Sequence, residues 1–322
     1  MNILVTGGGG YIGSHTCKLL ARQGHQPVVY DNFSRGHRWA VRFGPLVEGD
    51  LLDQPRLESA LREHAIEAVI HFAAVALVGE SVVRPEFYYQ NNTMGSLALL
   101  QAMQQVGVSR LVFSSTCATY GLPQSHLLSE EHPQNPVNPY GASKLMVERM
   151  IMDFCAAHGL HAMALRYFNA AGGDPEGELG EVHDPETHLI PNVLRALTGE
   201  LPALQLYGQD YDTPDGTCVR DYIHVNDLAD AHLRALERVK GWAAFNLGTG
   251  IGNSVKEVIA TVQQVTGRTV PVEHHPRRPG DPPYLVADAS AARQALGWVP
   301  RYNLRDSVEH AWAWHSQRGP GR

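Results

Sequence analysis

The sequence feature that most constrains the fold is a run of four glycines directly after a short apolar segment near the start of the chain. Ile3–Thr6 has the composition of a buried β-strand, and Gly7–Gly10 leads into a helical pattern over Tyr11–Gln23. Two glycine spacings fit, Gly8-x-Gly10-x-x-Gly13 and Gly7-x-x-Gly10-x-x-Gly13. Glycines in such a turn let the backbone approach a pyrophosphate, and the helix that follows offers free N–H groups and the positive end of its dipole. The pattern therefore predicts a dinucleotide site, with an ordinary glycine-rich βα turn as the alternative.

A carboxylate at the end of the second predicted strand supports this interpretation. Asp31 lies 18 positions after the last glycine of the motif, where a carboxylate accepts hydrogen bonds from ribose hydroxyls. It would repel a 2′-phosphate, which favours NAD over NADP, although Arg35 and Arg38 follow closely and could reverse that preference. Asp50 and Leu51 follow the third strand and are expected beside the adenine ring. The alternative role for Asp50 is a helix cap.

Short apolar segments alternate with longer helical patterns through the first half of the chain. The strand candidates are Ile3–Thr6, Pro27–Tyr30, Leu46–Glu48, Ala68–His71, Leu111–Ser114 and Ala162–Tyr167. The helical patterns are Tyr11–Gln23, Gln54–His64, Tyr88–Val106 and Tyr140–His158. Because the strands are apolar on both faces and repeat as βα units, we predict an α/β fold of the Rossmann type, with a doubly wound parallel sheet.

The character of the chain changes after about Gly172. The segment Gly172–His188 is rich in glycine, proline and acidic residues and is interpreted as a loop. Further helices are predicted at Pro191–Thr198, Asn226–Val239, Ser254–Thr266 and Leu304–Ser316, and short strands at Leu204–Tyr207, Phe245–Leu247 and Val270–His274. We therefore predict a dinucleotide-binding domain over residues 1–172 and a smaller C-terminal α/β substrate-binding domain over residues 173–322. The chain is expected to return to the first domain near residues 221–248.

The charge balance and the composition argue against several classes of protein. The 322 residues carry 26 Lys+Arg against 33 Asp+Glu, a net charge of −7, which argues against a nucleic-acid partner. No apolar run approaches ~20 residues, so no membrane partner is expected, and the N-terminus lacks the basic start of a signal peptide. The four cysteines form no CxxC pair and are expected to be reduced thiols of a cytoplasmic protein. The 17 histidines are scattered, and the adjacent His274 and His275 lack helical spacing, so no metal site is predicted.

A tyrosine and a lysine spaced by four residues form the candidate chemical site. Tyr140 and Lys144 lie on one face of a predicted helix, and a nearby ammonium favours tyrosinate electrostatically. A chance pair on an exposed helix is the alternative, but the chain has only four lysines among 26 basic residues. The buried strand Leu111–Ser114 continues into hydroxyl residues that end at Thr116. These hydroxyls are expected at the carboxyl end of the sheet, where ligands bind in such folds, unless they merely form a turn.

At these residues the sequence resembles the extended short-chain dehydrogenase/reductase family, and most closely its UDP-glucose 4-epimerases (UDP-galactose 4-epimerases). The resemblance runs along almost the whole chain. It is carried by Thr6–His15, Asp31-Asn32, His71–Ala74, Val78–Val82, Asn91-Asn92, Tyr140–Lys144, Arg166–Asn169, Val219–Val225, Asn246–Gly248 and Pro276–Asp281. Arg166–Asn169 and Arg220–Val225 are the more specific segments, since the glycine loop and the Tyr/Lys pair mark only the wider superfamily.

The resemblance implies an NAD-dependent isomerase that interconverts UDP-glucose and UDP-galactose. Tyr140, as tyrosinate, would take the proton from the sugar 4-hydroxyl while hydride leaves C4 for the nicotinamide. The 4-keto sugar would then turn over, and hydride would return to the opposite face. Lys144 would hold the nicotinamide ribose and lower the pKa of Tyr140, and Thr116 would occupy the position often held by Ser.

Three sets of site residues follow from the resemblance. The catalytic residues are Thr116, Tyr140 and Lys144. The cofactor-binding residues are Gly7, Gly10, Tyr11, Ile12, Gly13, Asp31, Asn32, Asp50, Leu51, Phe72, Ala73, Ala74, Asn91, Ser114, Tyr140, Lys144 and Tyr167. The substrate-binding residues are Thr116, Tyr140, Asn169, His188, Leu189, Gln205, Tyr207, Arg220, Tyr222, Arg278 and Asp281. For Arg220 the alternative is a salt bridge to Asp221 or Asp227.

Two departures from the family pattern leave alternatives open. Val75-Ala76-Leu77 stands where several relatives carry a lysine, which removes one cofactor contact. Leu285 is expected in the region that decides whether an N-acetyl group fits, and its middling size leaves UDP-N-acetylhexosamine epimerisation open. A nucleotide-sugar 4,6-dehydratase would need an acidic pair after Thr116, where Cys117-Ala118 stands. A non-enzymatic NAD-sensing protein could have lost the Tyr/Lys pair, which this chain retains.

Two helical patterns are apolar on more than one side, Tyr88–Val106 and Tyr140–His158. They carry five of the seven methionines, which are Met94, Met103, Met146, Met150 and Met152. A helix with two apolar faces must bury both. We therefore expect a homodimer in which these helices pair into a four-helix bundle, as the family implies, with a thick single-chain core as the alternative.

Overall fold

Eleven helices and fourteen strands make up the part of the chain that the computed structural model describes, residues 1–278 and 280–318. The strands are β1 (Asn2–Thr6), β2 (Gln26–Asp31), β3 (Leu46–Glu48), β4 (Ala68–His71), β5 (Arg110–Thr116), β6 (Leu127–Leu128), β7 (His161–Tyr167), β8 (Asn169–Ala171), β9 (Leu204–Tyr207), β10 (Val219–His224), β11 (Trp242–Leu247), β12 (Gly252–Ser254), β13 (Val272–His275) and β14 (Tyr284–Ala287). The helices are α1 (Tyr11–Arg22), α2 (Gln54–Glu63), α3 (Val78–Val83), α4 (Pro85–Tyr88), α5 (Gly95–Val106), α6 (Pro139–His158), α7 (Leu189–Thr198), α8 (Val225–Arg238), α9 (Val255–Thr266), α10 (Ser290–Leu296) and α11 (Leu304–Arg318).

The larger sheet has seven strands in the order β11-β7-β5-β4-β1-β2-β3, all parallel. Helices α1 and α8 pack their apolar faces on one side of it, and α2, α5 and α6 cover the other side. Both faces of the strands are therefore buried, which explains why they are nearly continuous runs of apolar residues. The predicted fold class, a doubly wound parallel sheet, is confirmed.

A second group of elements lies beyond β8. Strands β12, β10, β14 and β6 form a smaller mixed sheet, in which β8 also pairs with β10, and β13 pairs with β9. Helices α7, α9 and α11 enclose a third apolar core. Between these elements the chain returns to the larger sheet, because α8 packs against α1 and β11 pairs with β7 along its whole length. No helix of the described residues is long and apolar enough to cross a membrane.

The helical pattern predicted over Tyr88–Val106 is not one α-helix. Helix α4 ends at Tyr88, a π-helical turn covers Tyr89–Met94, and α5 begins at Gly95. The amide side chain of Asn92 in that turn accepts from the Val75 N–H at 2.9 Å and donates to the Val75 carbonyl at 3.0 Å. Such turns recur next to functional sites, because the extra residue redirects side chains. Here the turn ties this helix to the loop after β4.

Candidate active site

A cavity of about 1010 Å³ opens above the carboxyl ends of the large sheet, between that sheet and the smaller group of elements. Glycines of the first turn, Asp31, the loop after β4 and Thr116 at the end of β5 line one side of it. Residues of α7, β9 and β10 line the other side. Ligands bind at this edge in open α/β sheets, because the sequence order reverses there and the loops separate.

The glycine turn has no room for a side chain at two of its positions. Gly7 has a φ of +72°, and a Cβ on it would lie 2.6 Å from the backbone nitrogen of Ala73. A Cβ on Gly13 would lie 2.3 Å from the Gly7 carbonyl oxygen, so α1 starts in direct contact with the turn. Gly10 is the N-cap of α1 and also lines the cavity. A helix N-terminus facing this space suits a pyrophosphate, so the residues present fit the dinucleotide.

Asp31 lies at the bottom of the turn with its carboxylate fixed. Its Oδ2 accepts from the Gly9 N–H at 2.9 Å and its Oδ1 from the Phe33 N–H at 2.8 Å. Burial raises the pKa of Asp31, and these two backbone bonds oppose the shift. A carboxylate has about four acceptor sites, so two bonds leave capacity for ribose hydroxyls. Nearby, the Asn32 amide donates to Asp50 at 2.7 Å, and both line the cavity.

The two arginines that could have reversed the preference for NAD are held by other residues. Arg35 donates to both carboxylate oxygens of Glu80, at 2.7 and 2.8 Å. Arg38 donates to both carboxylate oxygens of Glu48, at 2.6 Å each. In each pair one guanidinium nitrogen donates to both carboxylate oxygens, so the carboxylate offsets the positive charge that would attract a 2′-phosphate. These pairings favour NAD over NADP.

Helix α6 is positioned so that its first turn faces the cavity. Asn138 caps it by accepting from the Gly141 N–H at 2.9 Å, and Pro139 starts it. A Cβ on Gly141 would lie 2.4 Å from the Ala118 carbonyl oxygen, so the helix start packs directly on the turn after β5. This close approach brings Tyr140 beside Thr116, and both line the cavity.

The side chains of Lys144 and Ser114 are buried and do not line the cavity. The Lys144 ammonium donates to the Ser114 carbonyl at 2.9 Å and lies 4.8 Å above the Phe113 ring. The Ser114 hydroxyl lies 2.8 Å from the hydroxyl of Tyr167, which does line the cavity. The other predicted site residues all line it.

Burial is the largest influence on the pKa of Tyr140, and the lowering of this pKa by Lys144 stays a prediction. Burial raises the pKa of Tyr140 above its ordinary value, with a further contribution from Tyr167, and a hydrogen bond with Thr116 opposes the rise. Burial also lowers the pKa of Lys144 to about 7, partly opposed by Glu148. Desolvation disfavours any charged form, so it acts in opposite directions on a phenol and an ammonium. Desolvation is the largest influence on the pKa of both groups.

The opposite wall carries arginines suited to a diphosphate. Arg220 donates to the carbonyls of Val219 and Pro282 and forms an ion pair of 3.7 Å with Asp281, not with Asp221 or Asp227. The Arg278 guanidinium lies 4.0 Å from the centre of the Tyr207 ring. Both arginines line the cavity, and a guanidinium suits a diphosphate because it donates in a fork. Pro279, within one of the marker segments, lies outside the described residues.

Asn169 places a buried polar atom on this wall. The Oδ1 atom of Asn169 is buried, lines the cavity with its residue, and has no hydrogen-bond partner in the protein. Tyr207 donates to Gln205 at 2.5 Å, and His188, Leu189 and Tyr222 complete the predicted substrate set around them. A buried unpaired acceptor is costly unless a ligand or water satisfies it, so Asn169 is consistent with a substrate hydroxyl or amide here.

Sequence reasoning missed several residues that shape the site. The ring of Tyr88 packs edge-on against Tyr140 at 6.4 Å. Asn92 donates to the Ser143 hydroxyl at 3.0 Å, which joins the π-helical turn to α6. The loop 182–188 contributes His183 and Thr187 to the cavity wall. Asn92 belongs to the marker pair Asn91-Asn92, in which only Asn91 was predicted as a site residue. Nothing in the sequence pattern of Tyr88 or His183 indicated a role.

Known proteins resemble this chain in sequence over most of its length. The model of the NAD dependent epimerase/dehydratase family matches residues 3–248. A UDP-glucose 4-epimerase of Rhizobium leguminosarum bv. trifolii is 53% identical over 318 residues, which cover 98% of this chain and 97% of the relative.

Solved structures agree along the whole chain. A UDP-glucose 4-epimerase from Brucella ovis in complex with NAD superposes with a TM-score of 0.95 at 53% identity, covering 97% of each chain. One from Bifidobacterium longum in complex with NAD+ and UDP gives 0.95 at 38% identity, covering 100% of both chains. By its family model, its relatives and its fold, the chain belongs to the NAD dependent epimerase/dehydratase family, among the UDP-glucose 4-epimerases.

Proposed function

We propose that the chain is an isomerase that interconverts UDP-glucose and UDP-galactose, with NAD as its cofactor. The observation that carries the proposal is that Tyr140 and Thr116 share one cavity with the glycine turn and with Arg220 and Arg278. A phenol beside a dinucleotide turn provides an acid or base at the place of oxidation. Forked cations on the opposite wall suit a substrate that contains a diphosphate.

When bound, NAD supplies the acceptor for the hydrogen at the sugar C4 and returns it. Tyr140 takes the proton of the 4-hydroxyl and gives a proton back to the same oxygen after the sugar has turned. Thr116 donates or accepts a hydrogen bond at that hydroxyl. Burial of Tyr140 raises its pKa, so the tyrosinate needs a positive charge nearby, which the Lys144 ammonium and the oxidised nicotinamide supply together.

The roles of the individual site residues are part of the proposal. Asp31 binds the adenosine ribose, and the backbone N–H groups at the start of α1 bind the pyrophosphate of NAD. Arg220 and Arg278 hold the substrate diphosphate while the hexose turns. The cavity volume of about 1010 Å³ is within the range of small-molecule sites and leaves space for that movement.

The decisive experiment offers purified protein three substrates and identifies the products. UDP-galactose should be converted to UDP-glucose without added NAD, because the cofactor is regenerated in each cycle. A band near that of reduced nicotinamide should develop with excess UDP-hexose. dTDP-glucose should give no dehydrated 4-keto-6-deoxy product, since Cys117 and Ala118 supply no acid after Thr116. Absence of any epimer from every UDP-hexose would refute the proposal.

UDP-GalNAc is the third substrate in that experiment, because epimerisation of UDP-N-acetylhexosamines is the alternative function. Leu285 lines the cavity as the sequence interpretation expected. Its side chain is intermediate in size between residues that would open and close the space for an N-acetyl group. Formation of UDP-GlcNAc at a rate comparable to that of UDP-glucose would extend the function to these substrates.

We also propose that the chain forms a homodimer through α5 and α6. Of the five methionines in this region, Met94, Met146 and Met152 are exposed by 52%, 46% and 38%, whereas Met103 is buried in the core. Exposed apolar side chains on neighbouring helices favour burial against a second copy. Sedimentation showing only monomer at micromolar concentration would reject the dimer. A cytoplasmic location stays a prediction, supported by four free cysteines.

A further inference from the structure

The loop between β8 and α7 gathers four possible metal ligands. They follow the spacing Glu181-x-His183-x-x-Glu186-x-His188. One nitrogen or carboxylate oxygen from each side chain lies within 4.8 Å of the others. Two imidazoles and two carboxylates are a donor set that transition metals such as zinc accept, whereas Mg²⁺ and Ca²⁺ prefer oxygen ligands alone.

Three separations within this cluster are close to the edges of a coordination shell, whereas the contact between His188 and Glu181 is shorter. Nδ1 of His183 lies 3.3 Å from Oε1 of Glu181 and 3.5 Å from Oε2 of Glu186. Nδ1 of His188 lies 3.8 Å from Oε1 of Glu186 and also contacts Glu181. Ligands at roughly 2.0–2.2 Å from one Zn²⁺ in tetrahedral geometry are about 3.3–3.6 Å apart. A single ion could therefore contact all four groups with small side-chain movements.

The hydrogen bonds of the protein satisfy the polar atoms of the cluster only in part. Nδ1 of His183 is buried and has no hydrogen-bond partner, although it faces two carboxylates. The side chains of Glu181 and Glu186 are only 5% and 6% exposed. Two carboxylates at that depth need compensating charge. Glu186 is oriented in advance, because the backbone N–H groups of Thr187 and His188 both donate to its Oε1 at 2.8 Å.

We propose that this cluster is a structural site for a divalent cation of the zinc class. The ion balances the charge of Glu181 and Glu186 while both histidines bind as neutral imidazoles. The proposal departs from the expectation, based on scattered histidines, that the chain has no metal site. The other interpretation is a metal-free cluster of two imidazolium–carboxylate pairs, and the experiment below separates the two.

A bound ion would stabilise the loop 182–188, which forms part of the cavity wall. The His183 ring lies edge-on to the Tyr11 ring, with 6.1 Å between the ring centres. Tyr11 lines the cavity and donates to the Gly172 carbonyl at 2.7 Å. Arg35 also donates to the Asp184 carbonyl at 3.1 Å, so the loop packs against the glycine-turn side of the fold. The site takes no part in the proposed proton transfer, and its existence does not depend on the substrate.

The test measures metal content, so it is independent of activity. Untagged full-length protein is treated with EDTA, given two equivalents of zinc chloride, desalted, and analysed by inductively coupled plasma mass spectrometry. We expect about one zinc per chain, undiminished by millimolar Mg²⁺. Cobalt chloride should give the visible absorption of a four- or five-coordinate site. Protein that retains no zinc, or that loses it to Mg²⁺, would overturn the proposal.

Two variants and one control assign the site. His183→Gln and Glu181→Gln each remove one ligand and should weaken zinc binding at least about a hundredfold, measured by competition with a chromophoric chelator. His274→Gln removes an exposed histidine on β13 and should leave the zinc affinity unchanged. Circular dichroism identifies a variant that fails to fold, in which case the other variant decides. Zinc affinity equal to wild type in both folded variants would also overturn the proposal.

Discussion

The Lys144 ammonium donates a hydrogen bond to the Ser114 carbonyl oxygen over 2.9 Å, which ties α6 to the end of β5 behind Tyr140. This bond holds the charged end of the lysine in a place that water does not reach. Burial there lowers the pKa of Lys144 to about 7. Near neutral pH, the protein without its cofactor is therefore close to the midpoint of this titration.

The titration of Lys144 can be measured directly, because the chain has only four lysines. Reductive methylation with a ¹³C label should give a signal that moves near pH 7 and that is absent from the Lys144→Arg variant. The ordinary value is 10.5, so between pH 7 and 10.5 the unfolded chain holds a proton that the folded chain has lost. Below pH 7 the folded protein bears the full cost of burying the Lys144 ammonium. This cost decreases as the pH rises from 7 to 10.5, so the free energy of unfolding increases with pH over that range.

A signal for Lys144 that moves only above pH 10 would show that the ammonium is better stabilised than its burial indicates. The same measurement on protein loaded with NAD tests whether the bound dinucleotide alters the titration.

Replacing Tyr140 with Phe should leave NAD bound and reduce turnover by on the order of a hundredfold or more, because the variant has no group to move the proton. Bound NAD is measured after denaturation, and turnover with UDP-galactose. Tyr302→Phe, two residues before the start of α11 and outside the cavity lining, is the matched control and should keep wild-type turnover. Near-normal turnover in Tyr140→Phe would remove this residue from the role of base.

Replacing Gly13 with Ala should empty the cofactor site. The new Cβ would lie 2.3 Å from the Gly7 carbonyl oxygen, so α1 or the turn must move. Such overpacking costs about 1–3 kcal/mol, and we expect lower NAD content together with a lower melting temperature. Gly79→Ala is the control, because its Cβ meets nothing within 4 Å and it lies in helix α3, where alanine is the better helix former. Full NAD content in Gly13→Ala would contradict the proposed binding mode of the pyrophosphate.

Arg278→Ala should raise the KM for UDP-galactose about 10- to 100-fold with a smaller effect on kcat, since a charged hydrogen bond contributes about 1.5–3 kcal/mol. The adjacent Arg277 is a close control. It donates to Asp210 at 2.7 Å and stacks over Tyr211, away from the cavity lining. Steady-state kinetics of Arg277→Ala should show a KM within about twofold of wild type. An equal change in both variants would indicate general disruption of this loop rather than loss of a substrate contact.

The strands of the larger sheet were predictable because burial on both faces leaves an unbroken apolar signature. Leu46–Glu48 and Ala68–His71 were predicted with the observed ends, and β5 extends two residues beyond its predicted end. The short strands β6, β8, β12 and β14 of the smaller sheet were missed, and none of them is buried along its whole length. The π-helical turn was missed for another reason, since the side chain of Asn92 that supports it bonds to a residue 17 positions earlier.

The site was predicted best where function requires a local pattern. The glycine turn and the Tyr140–Lys144 pair are each contained in a few consecutive residues. The burial that raises the pKa of Tyr140 depends on the surrounding elements and could not be inferred from spacing on one helix, and the lowering of this pKa by Lys144 stays a prediction. The cluster of Glu181 and His183 was overlooked for a similar reason. Histidines that look scattered in the sequence converge only when the loop folds.

The pairing of β11 with β7 has a consequence for how this protein can be divided. Residues 242–247 complete a sheet that begins at residue 2, so a fragment that stops near residue 172 would expose the backbone groups of β7 as an open edge. It would also lose α8, which covers one face of α1. We therefore expect a fragment cut near residue 172 to fold poorly as an independent module, whereas a chimera that keeps residues 225–247 with the first half would preserve this edge of the sheet.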